Sequence, residues 1–172
     1  MREAYYVVGR SNFREYELMK KNLTFAVAFA ALACGTAAYA QSDFSGQLKA
    51  RQGQFRIMAI NLGIIGDMAQ GKSEYNAEAA QAAADTLVAV SMIQQAPMWP
   101  AGSDNMATEG TRAQPNIWEQ NDDFLAKWGD FGTAAKAIQA AAAGGAEGLG
   151  PVMGQVGGAC KACHDTYRAP AN

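Results

Sequence analysis

Near the C-terminus, the run Cys160-Lys161-Ala162-Cys163-His164 combines residue types and a spacing that point to one chemistry. A C-x-x-C-H run is the pattern by which a chain attaches a c-type haem: each thiol adds across one vinyl group of the porphyrin, and the adjacent histidine is held under the ring to coordinate iron. His164 is the only histidine in the sequence, so no other residue competes for the axial position. Other uses of these residues fail on their own terms. A structural zinc site needs four Cys/His-type ligands, and outside the run only Cys34 remains. A thioredoxin-like pair would sit at a strand-to-helix turn, and no two-residue alternation surrounds this one. A plain disulfide would leave His164 without a purpose. The cofactor read from the motif is one covalent haem c per chain.

The first forty residues read as an export signal rather than as part of a fold. Met19-Lys20-Lys21 supplies a positive n-region, residues 23–33 (LTFAVAFAALA) an apolar stretch of h-region length, and Ala38-Tyr39-Ala40 a small-residue cleavage site. The mature protein is expected to start at Gln41. Translation is expected to start at Met19, because Arg2, Arg10 and Arg14 among Glu3, Glu15 and Glu17 have no place in a signal peptide. The apolar stretch is too short for a membrane span, and cleavage after Ala40 is better formed than lipidation at Cys34. Residues 1–40 are thus read as upstream segment and signal peptide, and residues 41–172 as one domain.

Of 14 Lys+Arg and 16 Asp+Glu, five and three fall in the first forty residues, leaving 9 against 13 and a net charge of −4. With no basic patch or stripe visible in the sequence, nucleic acid is excluded as a partner. Only Cys160 and Cys163 survive export, which fits thioether bonds better than a disulfide framework.

Four helical segments must position the motif. Phe44, Leu48, Arg51, Phe55, Met58, Leu62 and Ile65 recur at steps of three and four, one stripe of a first helix ending near Gly71. A second starts at Asn76 as N-cap and runs through Ala83, Leu87, Val90 and Ile93. Residues 97–114 are expected to form a long surface connection. Pro115 suits the first turn of a third helix, with the stripe Ile117, Phe124, Trp128, Phe131, Ala135 and Ile138, ending at Gly144-Gly145. The aromatic members of that stripe, with Trp118, are read as core packing. A fourth helix carries Leu149, Val152, Val156, Cys160, Cys163 and Tyr167 inward. Its glycines, Gly150, Gly154, Gly157 and Gly158, are expected to let a flat ring approach the backbone. The fold class is all-α, an antiparallel four-helix bundle with covalently bound haem c.

These residues resemble the cytochrome c′ family, the class II c-type cytochromes. The resemblance spans about Phe44 to Arg168 and is carried by the C-terminal haem motif through Tyr167-Arg168, by Arg51-Gln52, by Tyr75 before the second helix, and by Pro115-Asn116-Ile117-Trp118. It implies a left-handed four-helix bundle, a homodimer and a periplasmic location. It also implies that Arg51 and Gln52 contact a haem propionate, with Thr111 a further contact at the haem edge. Arg168 is implied to lie on the proximal side, beside the imidazole of His164. Small residues on the second helix (Ala80, Ala82, Ala84) are read as allowing a second copy to approach.

Relatives of the low-spin c-556 type place a methionine twenty residues before the tyrosine that precedes the second helix. Here that position is Phe55, which has no donor atom. The expected iron is therefore five-coordinate and high-spin, with Phe55 on the distal face. The expected function is binding of nitric oxide and carbon monoxide and exchange of one electron with a periplasmic redox partner, without enzymatic activity. The alternative is a low-spin electron-transfer cytochrome in which Met58, one turn on, is the sixth ligand.

Overall fold

The computed structural model describes residues 43–171. The export signal, Met19 and Cys34 lie outside the described residues. The helices are α1 (Ser45–Ala69), α2 (Ala77–Ser91), α3 (Asn116–Glu119), α4 (Asn121–Ala142) and α5 (Leu149–Tyr167), with 3-10 turns at Ala96–Met98 and Ala146–Gly148. The four long helices pack in a closed ring, α1 on α2, α2 on α4, α4 on α5 and α5 on α1. No strand occurs among the described residues, and the one isolated bridge joins Ala113 to Arg168.

The stripes predicted from periodicity supply the core. Ile65, Leu87, Ile138 and Leu149 have no solvent exposure, and Ala80, Ala84, Ala135 and Ala142 fill the space between them. Each fully buried Leu or Ile contributes about 1.5–3 kcal/mol relative to an exposed one. The turns are built from local chemistry. Gly71 takes φ +68° after α1, where the amides of Lys72 and Ser73 return to the Asp67 carbonyl. Asn76 caps α2 by accepting the Ala79 amide at 2.8 Å. The Tyr75 hydroxyl donates to the Ala142 carbonyl, tying this turn to the end of α4.

Five expectations are corrected. The third helix is two: after one turn, Gln120 leaves helical geometry at φ −123° and ψ 44°, and α4 begins anew at Asn121. Contacts with the end of α5 hold that first turn, since Asn116 Nδ2 donates to the Thr166 carbonyl at 2.9 Å and the Gln114 amide to the Tyr167 carbonyl at 3.1 Å. The connection before it is not merely a surface loop, because Ser103 is fully buried and Ala113 is 8% exposed. Ala80 and Ala84 belong to the core, so only Ala82 of the three small residues faces outward. Ile93 lies beyond α2 and is exposed. The glycines of α5 point into open space, and none lines the site described next.

Candidate functional site

At one end of the bundle, α1, α4, α5 and the 99–113 connection enclose a cavity of about 510 Å³. α5 brings Cys160, Cys163 and His164 to its wall, an i, i+3, i+4 set that helical geometry places on one face. α1 brings Leu48, Arg51, Gln52, Phe55 and Met58 to the cavity, and the connection brings Trp99 and Thr111. Arg168 also lines it, at the position where α5 gives way to extended backbone. Every site residue read from the sequence therefore borders this one space.

The cysteines are half-buried, unpaired thiols, and burial pushes both of them up, which keeps them as S–H groups. His164 is half-buried and pushed down, by burial first and then by the charges of Arg168 and Arg112. Its ring is kept neutral, the form that carries a free nitrogen lone pair.

Arg51 does not reach water along its stem. It is 3% exposed, and burial pulls its guanidinium below the ordinary arginine range. Nη1 donates to Ser103 Oγ at 3.0 Å, Nη2 to the Ser103 carbonyl at 3.1 Å, and the guanidinium lies 4.5 Å over the Trp99 ring. No carboxylate pairs with it among the described residues. A buried cation without an anion is costly, so a ligand carboxylate at the cavity would complete it. Gln52 spends its amide on the Gly110 carbonyl at 2.9 Å, which pins the connection against α1. Thr111 Oγ1 accepts the Ala113 amide at 3.1 Å and keeps its own hydroxyl proton available.

Sequence reading missed the support beneath Arg51. Gln54 and Gln95 exchange amide hydrogen bonds at 3.1 and 3.3 Å, and Trp99 Nε1 donates to Gln95 Oε1 at 3.1 Å, which holds the indole under the guanidinium. The only sequence signal was Gln54 on a helix face next to Arg51. The aromatic stripe of α4 does more than pack, since Phe124, Trp128 and Phe131 all line the cavity. The Phe55 ring stands edge-on to Trp128 at 6.2 Å, and Trp128 is anchored by its Nε1 bond to the Ser91 carbonyl at 2.9 Å. On the other wall, the Tyr167 hydroxyl donates to Asp123 Oδ2 at 2.6 Å, and Lys127 pairs with the same carboxylate oxygen at 3.4 Å. Burial, then the Asp123 bond, pushes the Tyr167 phenol up to about 12.

The residues present fit a covalent haem. Two free thiols and a neutral imidazole share one wall, apolar side chains dominate the rest, and the single deeply buried cation lacks an acidic partner.

Residues 46–168 match the family described as Cytochrome C'. The chain is 36% identical over 132 residues to the cytochrome c′ of Cereibacter sphaeroides, covering 77% of this chain and 89% of that protein. It is 32% identical over 148 residues to the cytochrome c-556 of Agrobacterium fabrum, covering 86% and 94%. The fold matches the solved cytochrome c′ from Rhodobacter Spheriodes with a TM-score of 0.72 at 35% identity, covering 76% of this chain and 100% of that one. It also matches the nitric oxide complex of a cytochrome c prime mutant from Alcaligenes xylosoxidans, with a TM-score of 0.64 at 32% identity and coverage of 75% and 98%. The chain belongs to the cytochrome c′ family, whose cofactor is haem c.

Proposed function

We propose that this chain is exported to the periplasm, carries one haem c in the cavity, binds nitric oxide or carbon monoxide there, and exchanges one electron. The bound haem would supply an iron that coordinates such gases and changes by one electron. The protein's part is positional. Cys160 and Cys163 are the thiols that fix the ring, His164 is the axial donor, and burial, aided by the charges of Arg168 and Arg112, keeps that donor unprotonated. Arg51, with Gln52 and Thr111 beside it, is the cation that receives a propionate.

The observation that carries the gas-binding reading is Phe55. It lines the cavity from α1, the helix next to the one that carries the cysteine motif, and its side chain offers no donor atom. A related protein has been solved as a nitric oxide complex, which supports the same use here. The test is one optical spectrum of the reduced protein with and without carbon monoxide: broad and high-spin without the gas, and shifted on its addition.

A second reading keeps a specific basis. Met58 is 7% exposed and lines the same cavity, and a relative carries the c-556 name. In that reading Met58 is the sixth ligand, the spectrum is sharp and low-spin, and the protein only transfers electrons. The homodimer is expected to pack through the first two helices, and the exposed apolar surface for it lies on α1. Ile57, Ile60 and Ile64 are 44%, 65% and 39% exposed along one outer face, an apolar strip that a second copy would cover. Ile60→Glu should convert a dimer to monomer in sedimentation.

A further inference from the structure

The charges around the cavity are one-sided. Arg51, Arg56, Arg112, Lys127 and Arg168 line it, and no acidic side chain among the described residues does. Those five are more than half of the nine cations in residues 41–172, although the same stretch carries thirteen acids and a net charge of −4. Two of the five are occupied locally. Lys127 pairs with Asp123, and Arg51 is buried where a haem carboxylate would meet it. Arg56, Arg112 and Arg168 are exposed at the rim and join no ion pair among the described residues. They come from three places, α1, the connection and the end of α5, so only the fold assembles them.

We infer that this rim is the docking surface for an electron-exchange partner that presents an acidic surface. The inference rests on the reading that the cavity holds the haem. A shared cationic mouth raises the local concentration of anions and orients them at the point where the electron leaves, against the sign of the chain as a whole. Interactions of this kind fade as salt shortens the screening length from about 30 Å at 0.01 M to about 8 Å at 0.15 M. The other acids of the chain act at longer range and are screened first.

The experiment uses reduced, haem-loaded protein and two small oxidants of opposite charge. Hexacyanoferrate(III), a trivalent anion, takes one electron from the protein and becomes hexacyanoferrate(II). Tris(phenanthroline)cobalt(III), a trivalent cation, does the same and becomes the cobalt(II) complex. The anion's rate should fall about tenfold between 0.01 M and 0.15 M salt, and the cation's should not fall. The double charge reversal Arg56→Glu with Arg112→Glu should abolish the anion's salt dependence. Lys72→Glu with Lys136→Glu changes the net charge equally at exposed positions away from the cavity and should leave most of that dependence in place.

A binding readout is independent of electron flow. The redox-inert anion hexacyanochromate(III) should broaden amide signals around residue 56, residues 110–112 and residue 168 first. An anion rate that rises with salt, equal effects of the two double variants, or broadening spread evenly over the surface would overturn the proposal. A low-spin spectrum would remove the gas-binding reading and leave this measurement intact, so the two can fail separately.

Discussion

The two ends of the bundle solve different problems. At the closed end, Leu87, Ile138 and Leu149 with Ala80, Ala84 and Ala142 pack directly, and the helices are held chiefly by apolar contact, with the Tyr75 hydroxyl on the Ala142 carbonyl and Gln139 on Asp85 as polar ties at its margin. At the open end a cavity stands where packing would be, and its walls are held by hydrogen bonds: Gln54 to Gln95, Gln95 to Trp99, Arg51 to Ser103, and Tyr167 to Asp123. The difference teaches that a bundle can keep a large opening if the lost contacts are replaced by directional polar ties, the innermost of them buried. It follows that the closed end should govern stability and the open end should govern the cofactor's chemistry.

The sharpest break in that division is at the cofactor itself. Replacing both Cys160 and Cys163 with Ala should give haem-free protein, read as loss of one haem from the intact mass after acid-acetone extraction. Retention of the full haem mass would mean that the thiols are not the attachment points.

At the closed end, Leu87→Ala should destabilise the fold by about 2–5 kcal/mol, as cavity-forming core changes do, with the haem spectrum unchanged in the fraction still folded. Denaturant titration gives the first quantity and the optical spectrum the second. A variant that changes the spectrum before the stability would erase the distinction between the two ends.

At the open end, Phe55→Ala should tighten carbon monoxide by about one to two decades, because a crowded ring that must move aside costs on the order of 1–3 kcal/mol. Met58→Leu should leave the spectrum nearly unaltered. A wild type that is low-spin and becomes high-spin in Met58→Leu would install the electron-transfer reading instead.

The smallest effect expected is alkaline. Tyr167 titrates near 10 when free and is pushed up to about 12 in the fold, so its protonated form is favoured by folding. That contribution is complete below pH 10 and is lost as the pH rises towards 12. Tyr167→Phe should therefore lose less stability across this window than the wild type. Tyrosinate absorbance followed alongside denaturant midpoints checks it, and identical alkaline profiles would show that the Asp123 bond is not felt.

How much of this was legible depended on the range of the signal. The haem motif is written in five consecutive residues, and the stripes of α1, α2 and α4 follow from a repeat of 3.6. The register that places Phe55 at the cavity is a count along one chain segment. Ala80 and Ala84 were misread because a small apolar residue suits both an inner and an outer close contact, and only the neighbours decide which. The glycines of α5 were misread for the same reason: the residue type permits a close approach without showing that anything approaches.

Local order, then, was the sequence's own doing, because helix period, capping by Asn76, the turn at Gly71 and the chemistry of Cys160, Cys163 and His164 each depend on residues within a few positions of one another. The tertiary structure decided what distant residues do together. Arg51 meets Ser103 across 52 positions, Gln52 meets Gly110 across 58, and the rim arginines arrive from three separate segments. A chain that reads as acidic along its length thereby presents a basic mouth, since charge is summed by position in space and periodicity carries no information about which helix face will stand opposite another.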